Sequence, residues 1–338
     1  MMGRRMIGTN EMNSFITEVY QNIYKVSLSI PVPLKAINVY LIKGSNGWTI
    51  IDCGFRDEET EKTWEQVFKE LKIKDNVSQI IVTHYHPDHF GAAGWLQEKT
   101  GADVLLLDKE KKYLDLNWLD ESYPLTMKRF FTAYGMPEDI ASGVEEEHIS
   151  RYPAVSPHPR KISLISEGDE IEIGNYNFKA IWSPGHTEGL MTFWDERNGI
   201  FISNDLVLPK ITPNISFQPN SGVNPLSDFI SSLTAVRELP AEITLTGHRQ
   251  SIFNLRTRIN EIIHHHKERL EKIYSLVKNK GKDNGVSGWD ISKELFGELK
   301  EPVQHKFAFA ESLAHLEYLL YSSELKKKQA NGQYYYYI

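Results

Sequence analysis

The sequence predicts an α/β fold. Three observations carry that prediction. Short β-branched runs alternate with amphipathic helical stretches over the first hundred residues. A cluster of histidine and aspartate closes one of those runs, at a strand-to-helix turn where α/β folds place their sites. A chain of 338 residues, 41% hydrophobic and 25% charged, has an ordinary globular composition and can bury a large core.

The elements follow in order. Residues 1 to about 16 read as a loosely ordered extension. Residues 23–30, 38–43 and 48–52 are β-branched and aromatic runs, with Ser45-Asn46-Gly47 as a hairpin turn between the last two. Residues 58–71 (EETEKTWEQVFKEL) carry apolar side chains at helical spacing, and 77–82 form a strand leading into the cluster. Residues 90–99 read as a helix stopped at Gly101, and 104–107 as a strand. The rhythm breaks at 110–160, an insertion rich in aromatics (Tyr113, Trp118, Tyr123, Phe130, Phe131, Tyr134) and only partly helical by pattern. Strands resume at 171–173, 178–182, 191–194 and 200–203. A Pro/Asn/Ser-rich loop (209–225), a helix (226–238) and a strand (243–246) complete a first domain spanning 17–258. A second domain, 259–338, begins with a long helix to about 278. A loop (281–288), helices at 289–296 and 302–320 and a short strand pair follow, a winged-helix-like order. Two low-complexity runs stand out, His264-His265-His266 and the tyrosines 334–337.

Several function classes are disfavoured by composition. A net charge of −7 argues against a dedicated nucleic-acid binder. Cys53 is the one cysteine, so no intramolecular disulfide forms. No apolar stretch follows the N-terminal arginines, and no run of about 18 apolar residues exists. The expectation is a cytoplasmic protein without membrane contact.

The stretch Thr83-His84-Tyr85-His86-Pro87-Asp88-His89-Phe90 sets three histidines and an aspartate within six positions. It reads either as a polar loop or as part of a metal site. With one cysteine in the chain, such a site is His/Asp-based, which suits Zn, Mn or Fe in a hydrolytic role. An extended Thr83-to-Pro87 segment points His84 and His86 the same way. Asp88 and His89 open the next helix and project from the other side of the turn, so two adjacent metals are the natural reading. Three later strand ends offer the missing ligands: His186 in SPGHT, Asp205 in SND and His248 in TGH. Converging on one sheet edge, they give three histidines for one metal and one aspartate with two histidines for the other, Asp205 being free to bridge.

HYHPDH, SPGHTEG, SNDL and TGH in that order, with IDCG (51–54) upstream, resemble the metallo-β-lactamase superfamily over about residues 20–255. The resemblance implies an αββα sandwich, carrying here a helical insertion and a small C-terminal winged-helix-like domain. It implies His84, His86 and His186 on a first metal, Asp88, His89 and His248 on a second, and Asp205 between them. Asp52 resembles the carboxylate that orients a ligand histidine. The spacing is most similar to hydroxyacylglutathione hydrolases, acyl homoserine lactonases and related hydrolases. The C-terminal segment resembles the winged-helix tail of a branch that includes an endoribonuclease-like protein. Asn204 stands where many members have glycine, and Arg249 where many have glycine or glutamate.

The expected activity is therefore a dinuclear, metal-dependent hydrolase. Two divalent ions, Zn with Mn or Fe as alternatives, would hold a bridging hydroxide that attacks a small ester, thioester or lactone. Asp88 is the expected catalytic proton carrier. The alternative is a nuclease or phosphodiesterase acting on RNA or DNA, motivated by the tail. A regulator with a relic site is disfavoured because all seven ligands are present. A diiron redox role is disfavoured because redox relatives carry Glu where this chain has His86, and a single-iron persulfide-oxidising role is a minor alternative. The expected partner is a small molecule. Nucleic acid is not favoured, since twelve cations face eleven acids from Ile259 onward and Lys326-Lys327-Lys328 is the one basic cluster. The tail then serves packing or a homodimer. His264 to His266 read as mostly solvated, His148, His158, His305 and His315 as surface or cap residues, and Cys53 as filling a buried slot. The insertion aromatics read as a subdomain core, with a lid or pocket wall as an equal reading.

Overall fold

The structure is a computed structural model and describes residues 10–13, 15–31, 34–281 and 284–338. One sheet of eight strands runs in chain order: β1 (Asn10–Asn13), β2 (Ile16–Tyr20), β3 (Ile23–Ser29), β4 (Ala36–Gly44), β5 (Gly47–Ile51), β6 (Val77–Val82), β7 (Asp103–Leu107) and β8 (Ile162–Ile165). Pairing is antiparallel from β1 to β5 and parallel from β5 to β8. The second sheet contains β9 (Glu170–Ile173), β10 (Tyr176–Trp182), β11 (Met191–Asp195), β12 (Ile200–Asn204) and β13 (Ile243–Thr246), in reverse chain order from one edge to the other. Its last pair is parallel.

Strand alternation makes the layers. In β4, Tyr40 and Ile42 meet the second sheet, where Phe178, Phe193, Ile200 and Ile202 face them. Val39 and Leu41 point the other way, to Trp64, Val67 and Phe68 of α1 (Glu58–Leu71). That helix starts where Asp57 accepts the Thr60 amide (2.8 Å), and Lys72 ends it in the left-handed region. α2 (Pro87–Phe90), α3 (Ala93–Thr100) and α4 (Asp108–Trp118) complete the layer over the first sheet. On the outer face of the second sheet, Phe201 packs with Leu226, Phe229 and Leu233 of α7 (Pro225–Val236) and Ile259 and Ile262 of α8 (Leu255–Lys280). The architecture is thus αββα.

A third core lies beside the sandwich. Tyr123, Met127 and Phe131 of α5 (Tyr123–Ala133) and Val144 of α6 (Glu138–Ser150) pack on Ile273 and Val277 of α8. Ile291 of α9 (Gly288–Phe296) and Phe309, Leu313 and Leu316 of α10 (Pro302–Tyr321) join them. A small sheet, β14 (Val286–Ser287), β15 (Lys326–Ala330) and β16 (Gln333–Tyr337), closes it through Tyr336. Of the insertion aromatics, Tyr123, Phe130, Phe131 and Tyr134 therefore belong to a core shared with the C-terminal segment, while Tyr113 and Trp118 pack with the first sheet's core. The 258/259 division falls inside α8, whose first half packs on the second sheet and whose second half packs in the third core.

Several expectations are corrected. Asn10–Asn13 pairs with β2 instead of trailing as an extension, while residues 1–9 and 14 lie outside the described residues. The expected 90–99 helix is two helices broken at Gly91, where a Cβ would lie 2.3 Å from the Pro87 carbonyl oxygen and 2.7 Å from that of Gly54. β8 was not expected, because its side chains are mostly half-exposed or exposed and show no buried face. Ser287, in the expected loop 281–288, belongs to β14 and caps α9 by accepting the Asp290 amide (3.1 Å). No helix among the described residues is long and apolar enough to cross a membrane.

Candidate metal centre and cavity

The site forms where strands of both sheets end on one edge. β6 runs into Thr83 to His86, and Asp88 and His89 follow in α2. β10, β12 and β13 lead to His186, Asp205 and His248. Three contacts from β4 hold β13 against the first sheet. Asn38 Nδ2 (3.0 Å) and Tyr40 Oη (2.8 Å) donate to the Thr246 carbonyl, and His248 Nδ1 donates to the Ala36 carbonyl (2.7 Å). Asn204 lies in the left-handed region (φ 42°), a conformation asparagine tolerates better than most side chains. At Gly247 a Cβ would lie 2.1 Å from Asp205 Oδ1, so only glycine leaves this carboxylate in place.

All seven expected residues come together in three overlapping groups: His84, His86 and His186; His84, His89 and Asp205; Asp88, His89 and His248. In each, the candidate ligand atoms lie within 4.8 Å of one another. Asp205 Oδ2 sits 3.5 Å from His186 Nε2, 3.6 Å from His89 Nε2 and 3.5 Å from His248 Nε2, between the first group and the last. Asp88 Oδ2 lies 3.5 Å from His248 Nε2 and 3.7 Å from His89 Nε2.

Hydrogen bonds set the tautomers. His186 Nδ1 donates to the Asn214 carbonyl (2.8 Å), His248 Nδ1 to Ala36, and His89 Nδ1 to Asp52 Oδ2 (2.8 Å). Thr83 Oγ1 donates to Asp52 Oδ2 (3.0 Å), which leaves its oxygen to accept from His84 Nδ1 (3.1 Å). Each of these rings turns its Nε2 into the cluster. Asp52, itself fully buried, thus orients one ring directly and another through Thr83.

Electrostatics point the same way. Burial, then neighbouring imidazoles, hold His84 and His86 below the usual histidine range, in the neutral state that ligates. Burial alone would lower His89 and His248 too, but the carboxylates around them outweigh it. His89 is raised well above its ordinary value and His248 to about 10. Burial pushes Asp88 up, and His89 and His248 overcome this to hold it at about 2. The residues fit a divalent cation by this chemistry. Buried His89 Nε2, His186 Nε2 and Asp205 Oδ1 have no hydrogen-bond partner, a costly arrangement unless a cation completes it.

A cavity of about 320 Å³ opens over the cluster, bounded by His86, Asp88, His186, Asp205 and His248 on its floor. Its walls are mostly apolar: Phe55, Tyr113 and Trp118, with Ile211 and Pro213 from the loop after β12. Val303 and Phe307 of α10 close one side. The insertion is therefore both core and cavity wall.

Sequence reasoning missed Glu110 and Lys306, and named Trp118 only as one of the insertion's aromatics. Glu110 of α4 is fully buried and accepts the amides of Tyr85 (2.8 Å) and Gly189 (2.8 Å), joining the loop of His84 and His86 to the loop of His186. Burial pushes its carboxyl up to about 8 against those hydrogen bonds. Trp118 Nε1 donates to the Tyr85 carbonyl (2.8 Å). Lys306 reaches the cavity from α10. Glu110 carried one faint signal, an acid in the first turn of a helix after a parallel strand; Lys306 carried none. His148, expected at the surface, is buried at the cavity wall, stacked on Trp118 with 5.0 Å between ring centroids. His315 and His266 are buried as well. Cys53 is buried, with its thiol raised by burial.

Comparison with known proteins agrees with this geometry. Residues 32–248 match the family described as Metallo-beta-lactamase superfamily, and residues 271–337 match Metallo-beta-lactamase-like, C-terminal domain. A "Probable metallo-hydrolase YqjP" of Bacillus subtilis is 24% identical over 305 residues, 87% of this chain and 91% of its own. The crystal structure of a metallo-beta-lactamase family protein from Thermus thermophilus superposes with a TM-score of 0.81 at 28% identity, covering 95% of this chain and 99% of that one. A beta-lactamase domain protein from Burkholderia ambifaria gives 0.84 at 27% identity, covering 95% and 94%.

Proposed function

The chain belongs to the metallo-beta-lactamase superfamily, and we propose that within it the protein is a metal-dependent hydrolase of small esters, thioesters or lactones with an apolar acyl part. The observation that carries this reading is the apolar cavity seated directly over the seven-residue cluster. At about 320 Å³ it is at the small end of ligand pockets, suited to a compact substrate and poorly suited to a nucleic-acid strand. In this reading His84, His86 and His186 would hold one divalent ion and Asp88, His89 and His248 a second, with Asp205 placed between the two groups. Zinc is the expected metal, with manganese or iron as alternatives. Lewis acidity toward the substrate's electrophilic oxygen, and acidification of water, are what divalent cations contribute in such a site.

The chain's own residues do the rest. The apolar walls exclude bulk water and hold the acyl group over the cluster. Asp52 and Glu110 keep the histidine loops in register. Asp88 is the aspartate of the cluster most open to the cavity, its side chain 16% exposed against 7% for Asp205, which suits it to carry a proton between water and leaving group. The C-terminal segment acts, on this reading, as a winged-helix-like packing element that supplies a cavity wall.

The test is hydrolysis by protein reconstituted with Zn, Mn or Fe, beside Asp205→Ala, against thioesters, acyl lactones, phosphodiesters and single-stranded RNA. Turnover of acyl substrates that vanishes in the variant is expected. Cleavage of RNA alone would replace this reading with the nuclease one. For Asp88, the expectation is that Asp88→Asn lowers turnover by about 10²–10⁴-fold while retaining metal measured by elemental analysis. Unaltered turnover would remove Asp88 from the chemistry.

A further inference from the structure

Lys306 stands in the cavity wall, in the second turn of α10. It is half-buried, with Val303 and Phe307 of its own helix lining the same cavity. Among the described residues, nothing lies within hydrogen-bond or ion-pair reach of its Nζ. Two charged groups act on it, Glu147 and Arg151 of the insertion. These are paired with each other at 2.7 Å, so their fields largely cancel. The remaining acids of the cavity are engaged elsewhere. Asp88 and Asp205 belong to the histidine cluster, and Glu188 accepts the Gly222 amide at 2.6 Å. Burial lowers the Lys306 ammonium from its usual value, and Lys306 in turn helps, after burial, to hold His148 neutral.

A cation withdrawn from water without a counter-ion is unfavourable unless an anion joins it. Here the missing anion would sit in the same cavity that covers the cluster. We propose that Lys306 anchors an anionic group of the substrate, a carboxylate or a phosphate remote from the scissile bond, so that the cavity selects acidic esters, thioesters or lactones over neutral ones. The inference rests on the cavity being the substrate site. It adds an unpaired cation to a pocket whose other charged wall residues are already paired, and the residue comes from the C-terminal segment, far in sequence from every strand-end cluster residue.

The experiment compares matched pairs on the full metal-loaded chain. One pair is p-nitrophenyl butyrate and mono-p-nitrophenyl glutarate, which carries a carboxylate on the acyl side. The other is butyryl-pantetheine and butyryl-4′-phosphopantetheine, which carries a phosphate on the leaving group. The wild type should prefer the acidic member of at least one pair. Lys306→Met should lower the acidic-to-neutral ratio of kcat/KM by about tenfold or more, through KM, and Lys306→Arg should keep most of it. No preference in the wild type, or equal loss on both members in Lys306→Met, overturns the proposal. A second arm separates it from the hydrolase reading: calorimetric titration of chelator-stripped protein with monomethyl adipate and monobutyl phosphate, against dimethyl adipate. If no ester is hydrolysed yet an acidic probe binds in a Lys306-dependent way, the hydrolase reading falls and the anion site stands. If neither acidic probe binds through Lys306 and no pair is discriminated, the anion site falls.

Discussion

At the strand ends, five histidines meet three aspartates. Between α8 and α10, two histidines meet each other, Phe229 and an Arg269–Glu311 pair. Both clusters are buried, yet their chemistry is opposite. His315 Nδ1 donates to the Glu311 carbonyl (2.8 Å), so its Nε2 accepts from His266 Nδ1 (3.1 Å). Burial, with cationic neighbours adding to it, brings His266 to about 2 and His315 to about 3. At neutral pH they are uncharged packing groups. At the strand ends, similar burial is outweighed for His89 and His248 by carboxylates within 4 Å. The comparison teaches that burial alone makes a histidine inert. Aspartates placed at ligand distance convert the same burial into a place for a cation.

That contrast can be broken from either side. Asp52→Asn takes a carboxylate from behind His89 and Thr83, and it should lower metal affinity by about 10–100-fold, read by competition with a chromogenic chelator. Unchanged affinity would show that Asp52 does not orient the cluster. Glu110→Ala leaves two buried amides unpaired, and it should cost about 1–3 kcal/mol per amide in denaturant unfolding, with a fall in turnover. A loss of stability with turnover intact would make Glu110 a packing residue only.

The histidine pair carries the smaller prediction, and it is one of pH. Both folded values lie below the unfolded value of about 6.5. Below that pH the unfolded chain binds protons that the folded pair refuses. The stability is therefore full above about pH 6.5 and falls toward about pH 3, at roughly 1.4 kcal/mol per pH unit for each histidine. His265 and Arg269 face the pair and oppose its protonation. Glu311 has a carboxyl raised by burial and contributes with the opposite sign. A His266→Phe/His315→Leu double variant keeps that glutamate and the strand-end cluster, so its difference from wild type isolates the pair. Unfolding at about pH 7, 6 and 5 should show the wild type losing stability faster. Parallel losses would mean the pair does not titrate on unfolding.

The strand-end cluster was legible in the sequence because its logic is local. Four ligands share one turn, and each of the other three stands directly after a strand whose apolar run is plain to read, as His248 does after Ile243–Thr246. The cavity wall was not legible. Glu110 is one acid in DKEKKY, and its function is decided by amides 25 and 79 positions away. The helix pattern of α10 announced a helix, not that Lys306 would turn toward a cavity built by the insertion. The histidine run 264–266 was read as mostly solvated. Its third member is nevertheless core, since a helix turns one of three successive residues inward and a single sequence does not say against what. Strands β1, β2 and β8 escaped; β1 and β8 lie at the sheet's edges, where apolar alternation fades.

α8 is one unbroken helix of 26 residues, about 39 Å long, that starts against the second sheet and ends in the core shared by insertion and C-terminal segment. The first matched family ends at residue 248, just before this helix, and the second begins at residue 271, within it. Val303, Lys306 and Phe307 lie in the second of them, and all seven residues of the strand-end cluster lie in the first. A gene that exchanged only its last stretch with a cousin's would keep the floor and most of the wall, and would replace the one side that Val303, Lys306 and Phe307 close.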